Sequence, residues 1–263
     1  MSERRPRPWW WWLYQPYKWL VVGPVLAIST LVLGGAAVAL SRALTPRRVG
    51  ALCAVPWARL NARVTPMVVE VAGRSHIDHG RSYVVVGNHQ SLYDILLVYG
   101  WLGVDFRWVM KAELRKVPGL GAACERLGHI FVDRSSPRAA LATLETARRR
   151  IAEGASVLFF PEGTRSLDGT LGAFKRGAFR MALDLGLPIL PVTIVGTREI
   201  LPPASRDLRP GLARLVVHAP IETAGWSADR LPELMELARA AIAAPLAEGG
   251  LPGRGSGSAA ASP

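Results

Sequence analysis

The stretch YVVVGNHQSLYD, residues 83–94, decides the fold that we expect for this chain. It opens with an apolar run typical of a buried strand, Tyr83–Val86, and leads into an apolar helical segment, Leu92–Leu102. The polar residues between them, among them His89, therefore stand where a strand gives way to a helix. In an α/β sheet such junctions lie at the carboxyl edge, where sites are commonly built.

Strand-like and helix-like segments alternate in the same way along most of the chain. The other predicted strands are Phe106–Met110, Ile130–Val132, Val157–Phe160, Ile189–Val195 and Leu215–Val217. The other predicted helices are Glu113–Leu127, Arg138–Glu153, Phe174–Leu185 and Ala228–Ala247. This alternation predicts an α/β fold, a single domain at residues 66–248 with a largely parallel or mixed β-sheet covered by helices. A Gly-, Ser-, Ala- and Pro-rich tail, 249–263, is expected to be disordered.

An apolar segment precedes this domain. Trp19–Leu40 carries no charged residue, and as a helix its length of roughly 33 Å would match a hydrocarbon core of ~30 Å. Tryptophans just before it, Trp9–Trp12, suit the headgroup layer. We expect residues 1–65 to form an N-terminal membrane anchor, either one spanning helix or a two-helix hairpin with Arg48–Val64 as the second helix. A cleaved signal peptide is less favoured, because the apolar run is too long for one.

Composition narrows the class of protein. Half of the 263 residues are hydrophobic and 20% are charged, which excludes a disordered chain. Two cysteines, Cys53 and Cys124, are too few for a disulfide scaffold and indicate a reduced, intracellular setting. The net charge of +12 points to a phosphate-bearing partner. Because much of this charge flanks the apolar N-terminal segment, we expect membrane lipid as the partner and no nucleic acid.

His89 and Asp94 form the first candidate pair. A carboxylate five residues on, in the first turns of the helix, can fold back to one imidazole nitrogen and leave the other as a base. The ordinary alternative is that Asp94 supports the helix start and His89 is a surface loop residue. Ser91 could act as a nucleophile, but no G-x-S-x-G motif occurs, so we expect it to cap the helix. A metal site formed by His76, His79 and His89 with Asp94 is not favoured, and no metal is predicted.

Two further strand ends carry arginines. One is GHIFVDR, residues 128–134, which ends in Arg134, and the other is FPEGTRS, residues 160–166, which contains Arg165. A guanidinium can hold phosphate through two parallel hydrogen bonds, and a turn at Gly163 lets backbone N–H groups approach an anion. Each segment alone is more often structural. Together they converge on one edge of the predicted sheet.

Four blocks, NHQSLYD at 88–94, GHIFVDR at 128–134, FPEGTRS at 160–166 and LPILPV at 187–192, occur in this order. They resemble the glycerolipid acyltransferase family, most of all its bacterial 1-acyl-sn-glycerol-3-phosphate acyltransferases, over roughly residues 67–217. The resemblance implies that His89 is a general base oriented by Asp94. It also implies that a phosphorylated acceptor is bound by Arg134, Glu162, Gly163, Thr164 and Arg165, with Lys111 as a weaker candidate.

The resemblance also implies a reaction. A fatty acyl group would pass from acyl-CoA or acyl-carrier protein to the sn-2 hydroxyl of lysophosphatidate, giving phosphatidate without a cofactor. Independently of the resemblance, we expect backbone N–H groups near the start of the helix after His89 to bind the oxyanion. Because both donors are found in the cytoplasm, we expect the cell's inner membrane, with the site on its cytoplasmic side. The alternatives are another acceptor (glycerol 3-phosphate, a lysophospholipid or a lyso-aminolipid), a lipid esterase using Ser91, and a membrane-tethered binding protein without turnover.

Overall fold

One seven-stranded sheet organises the protein in the computed structural model, which describes residues 9–132, 145–151 and 154–247. The strands are β1 Met67–Ala72, β2 Val84–Gly87, β3 Phe106–Lys111, β4 Ile130–Val132, β5 Ser156–Phe159, β6 Ile189–Val195 and β7 Gly211–Val217. Their order is β1-β7-β6-β2-β5-β3-β4. All neighbours are parallel except the antiparallel pair β6 and β7. The predicted single, largely parallel mixed sheet is confirmed.

Helices cover both faces of this sheet. They are α1 Trp9–Tyr17, α2 Gly23–Leu40, α3 Pro46–Val49, α4 Val55–Val64, α5 Tyr93–Trp101, α6 Leu120–Arg126, α7 over 145–151, α8 Gly177–Leu185, α9 Thr197–Ile200 and α10 Leu231–Ala247. Successive residues of β2 point to opposite faces, as strand geometry requires. Val85 packs with α4 and α5, whereas Val84 and Val86 pack with α8 and α10.

Two segments differ from the sequence prediction. The helix expected over Glu113–Leu127 is a 3₁₀ turn, Ala112–Lys116, followed by α6, because Pro118 and Gly119 interrupt it and Gly119 has φ +73°. The edge strand β1 was not predicted as a strand. Of the helix expected over Arg138–Glu153, the structure describes 145–151, which is helical. The remainder of that helix, the predicted tail at 249–263 and Arg134 lie outside the described residues.

The N-terminal helices lie along the domain. Residues Trp11–Leu40 form one helix that is long and apolar enough, by length and composition, to cross a bilayer, with mean hydropathy 2.1 and 17% of its most apolar window buried. One face of it nevertheless contacts the domain at several points. The Tyr14 hydroxyl donates to the Thr65 carbonyl, Lys18 Nζ donates to the Arg206 carbonyl, and the Asn61 amide donates to Ser29. The opposite face is exposed and apolar.

This helix and its neighbour each pass through a proline without ending. A π-helical turn, Lys18–Val22, precedes Pro24, and a second one, Gly50–Ala54, precedes Pro56. In each case the residue before proline donates to a carbonyl five residues back, as Gly23 does to Lys18. Proline lacks an N–H and crowds the carbonyl four residues back, and the wider turn accommodates both effects.

Helix α2 approaches the start of α6 closely at Gly34. A Cβ on Gly34 would lie 2.5 Å from the carbonyl oxygen of Gly119. The neighbouring Gly35 has no atom within 4 Å of the same position. The two glycines therefore have different roles, since only Gly34 allows the backbones to touch.

We expect Gly34→Ala to lower the free energy of unfolding by about 1–3 kcal/mol, because the new methyl group is forced against a backbone carbonyl. Gly35→Ala is the matched control and should not destabilise, because it adds a better helix former in open space. Thermal unfolding of the full chain in detergent measures both. Equal melting temperatures would contradict the close contact.

Candidate active site

His89 and Asp94 lie on either side of the turn that joins β2 to α5. Asp94 Oδ2 is 2.6 Å from His89 Nδ1 and also accepts the backbone N–H groups of Gln90 and Ser91 at 2.7 and 2.9 Å. The Asp94 side chain is completely buried. Asp94 lies in the first turn of α5, where backbone N–H groups have no acceptor within the helix and a carboxylate is therefore favourable. The side chains predicted to pair are thus in contact.

The contact with Asp94 determines what the imidazole can do. Because a carboxylate accepts, the ring donates through Nδ1, and Nε2 carries the lone pair. Within the described part of the chain, Nε2 makes no hydrogen bond. The ring is stacked on Phe160, with centroids 4.0 Å apart and planes at 2°, and Phe160 packs beside Trp108. The His89 side chain is 16% exposed.

The second oxygen of Asp94 has a partner that sequence reasoning missed. The Thr197 hydroxyl, at the start of α9, donates to Asp94 Oδ1, and both side chains are buried. Asn88 adds a second link to β6, because its amide accepts from the Ile194 N–H at 2.7 Å and donates to the Ile194 carbonyl at 2.8 Å. Thr197 lies two residues after the predicted strand Ile189–Val195, and this position at a strand end is the signal that could have found it.

Ser91 is used structurally. Its hydroxyl donates to the Leu201 carbonyl at 2.7 Å and accepts the Tyr93 N–H at 3.1 Å. The hydroxyl proton therefore points away from the imidazole. This geometry matches the expectation that Ser91 supports the helix start, and it gives no support to an esterase nucleophile.

Glu162 holds the backbone around His89. One carboxylate oxygen accepts the His89 N–H and the other accepts the Gly172 N–H, both at 2.8 Å. The N–H of Ser166 in turn donates to the His89 carbonyl at 2.8 Å. Burial raises the pKa of Glu162, and the two N–H donors oppose that shift. Glu162 was predicted to bind phosphate, but the structure directs both of its oxygens to backbone donors.

The other predicted phosphate ligands lie at the same sheet edge or outside the described residues. Gly163 has φ +77°, which lets the chain turn sharply after Pro161, and Thr164 is exposed. Arg165 is half-buried, and no carboxylate among the described residues pairs with it. Lys111 ends β3 and forms an exposed ion pair with Glu113 at 3.0 Å. Arg134 falls outside the described ranges.

Two other histidines are structural. His129 is buried, accepts the Trp108 N–H on Nδ1 at 3.2 Å and contacts the Tyr99 hydroxyl through Nε2. Burial lowers the pKa of His129 to about 3, so the ring is neutral. His76 contacts the Val217 carbonyl at 3.0 Å, at the far end of β7. Over residues 9–132, 145–151 and 154–247, no group of three or more His, Cys, Asp or Glu is placed to hold a metal.

Comparisons with known proteins show which family this chain resembles. Residues 68–195 match the Acyltransferase family. The 1-acyl-sn-glycerol-3-phosphate acyltransferase alpha of Homo sapiens is 33% identical over 190 residues, 72% of this chain and 67% of that protein. A chloroplastic 1-acyl-sn-glycerol-3-phosphate acyltransferase of Brassica napus is 40% identical over 149 residues, 56% of this chain. The match spans 42% of the Brassica protein's own length, under half of it.

A solved structure extends the similarity to the whole fold. The crystal structure of the 1-acyl-sn-glycerophosphate acyltransferase from Thermotoga maritima superposes with a TM-score of 0.77 at 26% identity. The match covers 92% of this chain and 96% of that one. It therefore includes most of the N-terminal helices as well as the sheet.

We expect Thr197→Val to lower the free energy of unfolding by about 1–3 kcal/mol, because it leaves a buried carboxylate oxygen without its donor. Thr197→Ser keeps the hydroxyl and serves as the matched control. Urea denaturation of the two variants and the unmodified chain measures the difference. If the valine and serine variants lost the same stability, the hydroxyl contact to Asp94 would not be the cause.

Proposed function

The chain belongs to the acyltransferase family, and we propose that it transfers a fatty acyl group from a thioester to the sn-2 hydroxyl of lysophosphatidate, giving phosphatidate. The observation that carries this proposal is the 2.6 Å contact of His89 Nδ1 with a buried carboxylate, which leaves Nε2 as a base at the carboxyl edge of the sheet. The relatives' names supply the acceptor. Acyl-CoA or acyl-carrier protein is the proposed donor.

The proposed chemistry needs one base and no covalent enzyme intermediate. His89 Nε2 takes the proton of the acceptor hydroxyl as its oxygen attacks the thioester carbonyl. The tetrahedral intermediate then collapses, the C–S bond breaks, and the imidazolium returns the proton to the leaving thiolate. Asp94 stabilises the imidazolium that exists between these steps.

Most backbone N–H groups at the start of α5 are not available to bind the oxyanion. The backbone N–H groups of this turn were the expected donors, yet those of His89, Gln90, Ser91, Tyr93 and Asp94 are all directed to acceptors within the protein. Within residues 89–94 this leaves the N–H of Leu92. We therefore propose Leu92 or a donor outside this turn for the oxyanion.

Arg165 and Thr164 are the proposed contacts to the phosphate of the acceptor. The hydrogen bond from Ser166 to the His89 carbonyl keeps this segment beside the base. A half-buried guanidinium that no carboxylate of the described residues pairs with is suited to hold an anion. Arg134 and Lys111 remain candidates, whereas the contacts of Glu162 support a role in positioning His89.

The contacts of the N-terminal helices support a hairpin that lies on one face of the membrane. Residues 11–37 contact the rest of the protein over ~40 Å of helix. If this helix spanned the bilayer, lipid would have to surround it over that length. The second helix packs against the first, where Trp57 Nε1 donates to Thr30 at 3.0 Å. We propose that the exposed apolar face rests in the cytoplasmic leaflet of the inner membrane, next to the donors.

We expect His89→Ala to lower acyl transfer by about 10²–10⁴-fold, because it removes the base. The assay follows coenzyme A release from labelled acyl-CoA with and without lysophosphatidate, and vesicle binding and folding should persist. Ser91→Ala is the control and should retain transfer per folded molecule. Release that needs no acceptor would indicate an esterase, and no release from the unmodified chain would indicate a binding protein.

We expect Arg165→Ala to raise the KM for lysophosphatidate about tenfold to a hundredfold, because a charge-assisted contact is lost. The KM for acyl-CoA should change little. Arg180→Ala is the matched control, since its exposed ion pair with Asp184 lies on the outer side of α8. An equal rise in both KM values for Arg165→Ala would argue against a phosphate contact.

A further inference from the structure

A short exposed loop between β3 and α6 carries apolar and basic side chains together. It comprises residues 113–118, ELRKVP, and we call it the 113–118 loop. Leu114 and Val117 are 37% and 41% exposed, and the basic residues Arg115 and Lys116 between them are exposed as well. Exposed apolar side chains beside cations are suited to contact a lipid bilayer, which has an apolar interior and can carry anionic headgroups.

The loop continues the exposed apolar face of α2. Gly119, directly after the loop, lies against α2, where a Cβ on it would be 3.1 Å from Leu31 Cδ2. Leu31 and Val32 are 56% and 61% exposed on the same helix. The loop therefore ends beside the part of the hairpin that carries its exposed apolar residues.

Contacts within the protein hold the loop in shape. The Val117 N–H donates to the Leu114 carbonyl at 3.2 Å, and a Cβ on Gly121 would lie 1.9 Å from the Arg115 carbonyl oxygen. The Arg115 guanidinium lies 4.6 Å from the Phe131 ring centre, with Nε 3.7 Å from Glu125. The two apolar side chains are thus presented by an ordered turn packed on α6.

We propose that the 113–118 loop is a second membrane contact, in which Leu114 and Val117 enter the acyl layer and Arg115 and Lys116 meet anionic headgroups. The inference rests on the proposed location of the hairpin at a bilayer. A hairpin alone is a rod-like contact about which the domain can roll. A second contact from the end of β3 fixes that rotation and sets the carboxyl edge of the sheet, with His89, at the bilayer surface.

Spin-label accessibility tests the contact without turnover. A nitroxide is attached to the full chain at Leu114→Cys or, as control, at Leu237→Cys, with Cys53→Ala and Cys124→Ala in both. Leu237 is 49% exposed on α10, which packs on the opposite face of the sheet from α4 and α5. On binding vesicles of phosphatidylcholine and phosphatidylglycerol, the label at 114 should gain collisions with oxygen and lose them with a water-soluble nickel chelate, unlike that at 237.

Equal access of the nickel chelate to both labels on vesicle-bound protein would overturn the proposal. Protection of the 114 label without vesicles would overturn it too, because a protein contact would then cover the loop. Neither result depends on acyl transfer. Failure of the proposed reaction is therefore seen separately, as absence of coenzyme A release from the unmodified chain.

Side-chain substitutions in the 113–118 loop provide a second test of the membrane contact. The Leu114→Ser, Val117→Ser double variant should bind these vesicles about fivefold to tenfold more weakly, in line with the loss of two partly buried apolar side chains. Lys116→Glu should weaken binding to vesicles that contain phosphatidylglycerol and leave binding to pure phosphatidylcholine unchanged. Both variants should acylate a short-chain lysophosphatidate in solution normally. Unchanged vesicle affinity of the double variant would overturn the proposal.

Discussion

The buried Asp94 carboxylate is the constraint on which the site depends. A carboxylate without water is costly unless donors surround it, and here His89, Gln90, Ser91 and Thr197 all donate to it. Satisfying that charge brings the end of β2, the first turn of α5 and the start of α9 to one point. The same hydrogen bonds that make burial of the Asp94 charge tolerable also orient the His89 imidazole. They therefore determine both the stability of this part of the fold and the geometry of the site.

A second carboxylate supports the other side of the turn. Glu162 and Ser166, both after β5, hold the N–H and the carbonyl of His89. Asn88 joins the same turn to β6. The turn that carries His89, the proposed base, is therefore held from both strands that neighbour β2, namely β5 and β6, without a bound ligand. Such preorganisation avoids reordering the base during a reaction.

The sequence patterns predict contacts between residues that are close along the chain, and they do not predict contacts between distant ones. The strand–turn–helix at 83–94 and the proximity of His89 to Asp94 could be predicted because they lie five residues apart. The contact of Thr197 with Asp94 spans 103 residues, and that of Glu162 with His89 spans 73, so no local period shows them. The missed strand β1 is similar, because it pairs with β7 from the far end of the domain. Pro118 and Gly119 break the helix predicted over Glu113–Leu127, although the residues on both sides of them keep a helical pattern.

The proposed position of the Trp11–Leu40 helix, with one side on the domain and the other in a leaflet, limits where a product can go. A hairpin seated this way reaches a single monolayer. Phosphatidate made by the proposed reaction is then delivered to that monolayer alone. The area of the bilayer would grow on one side only, and balanced growth requires a separate activity that moves lipid across to the other.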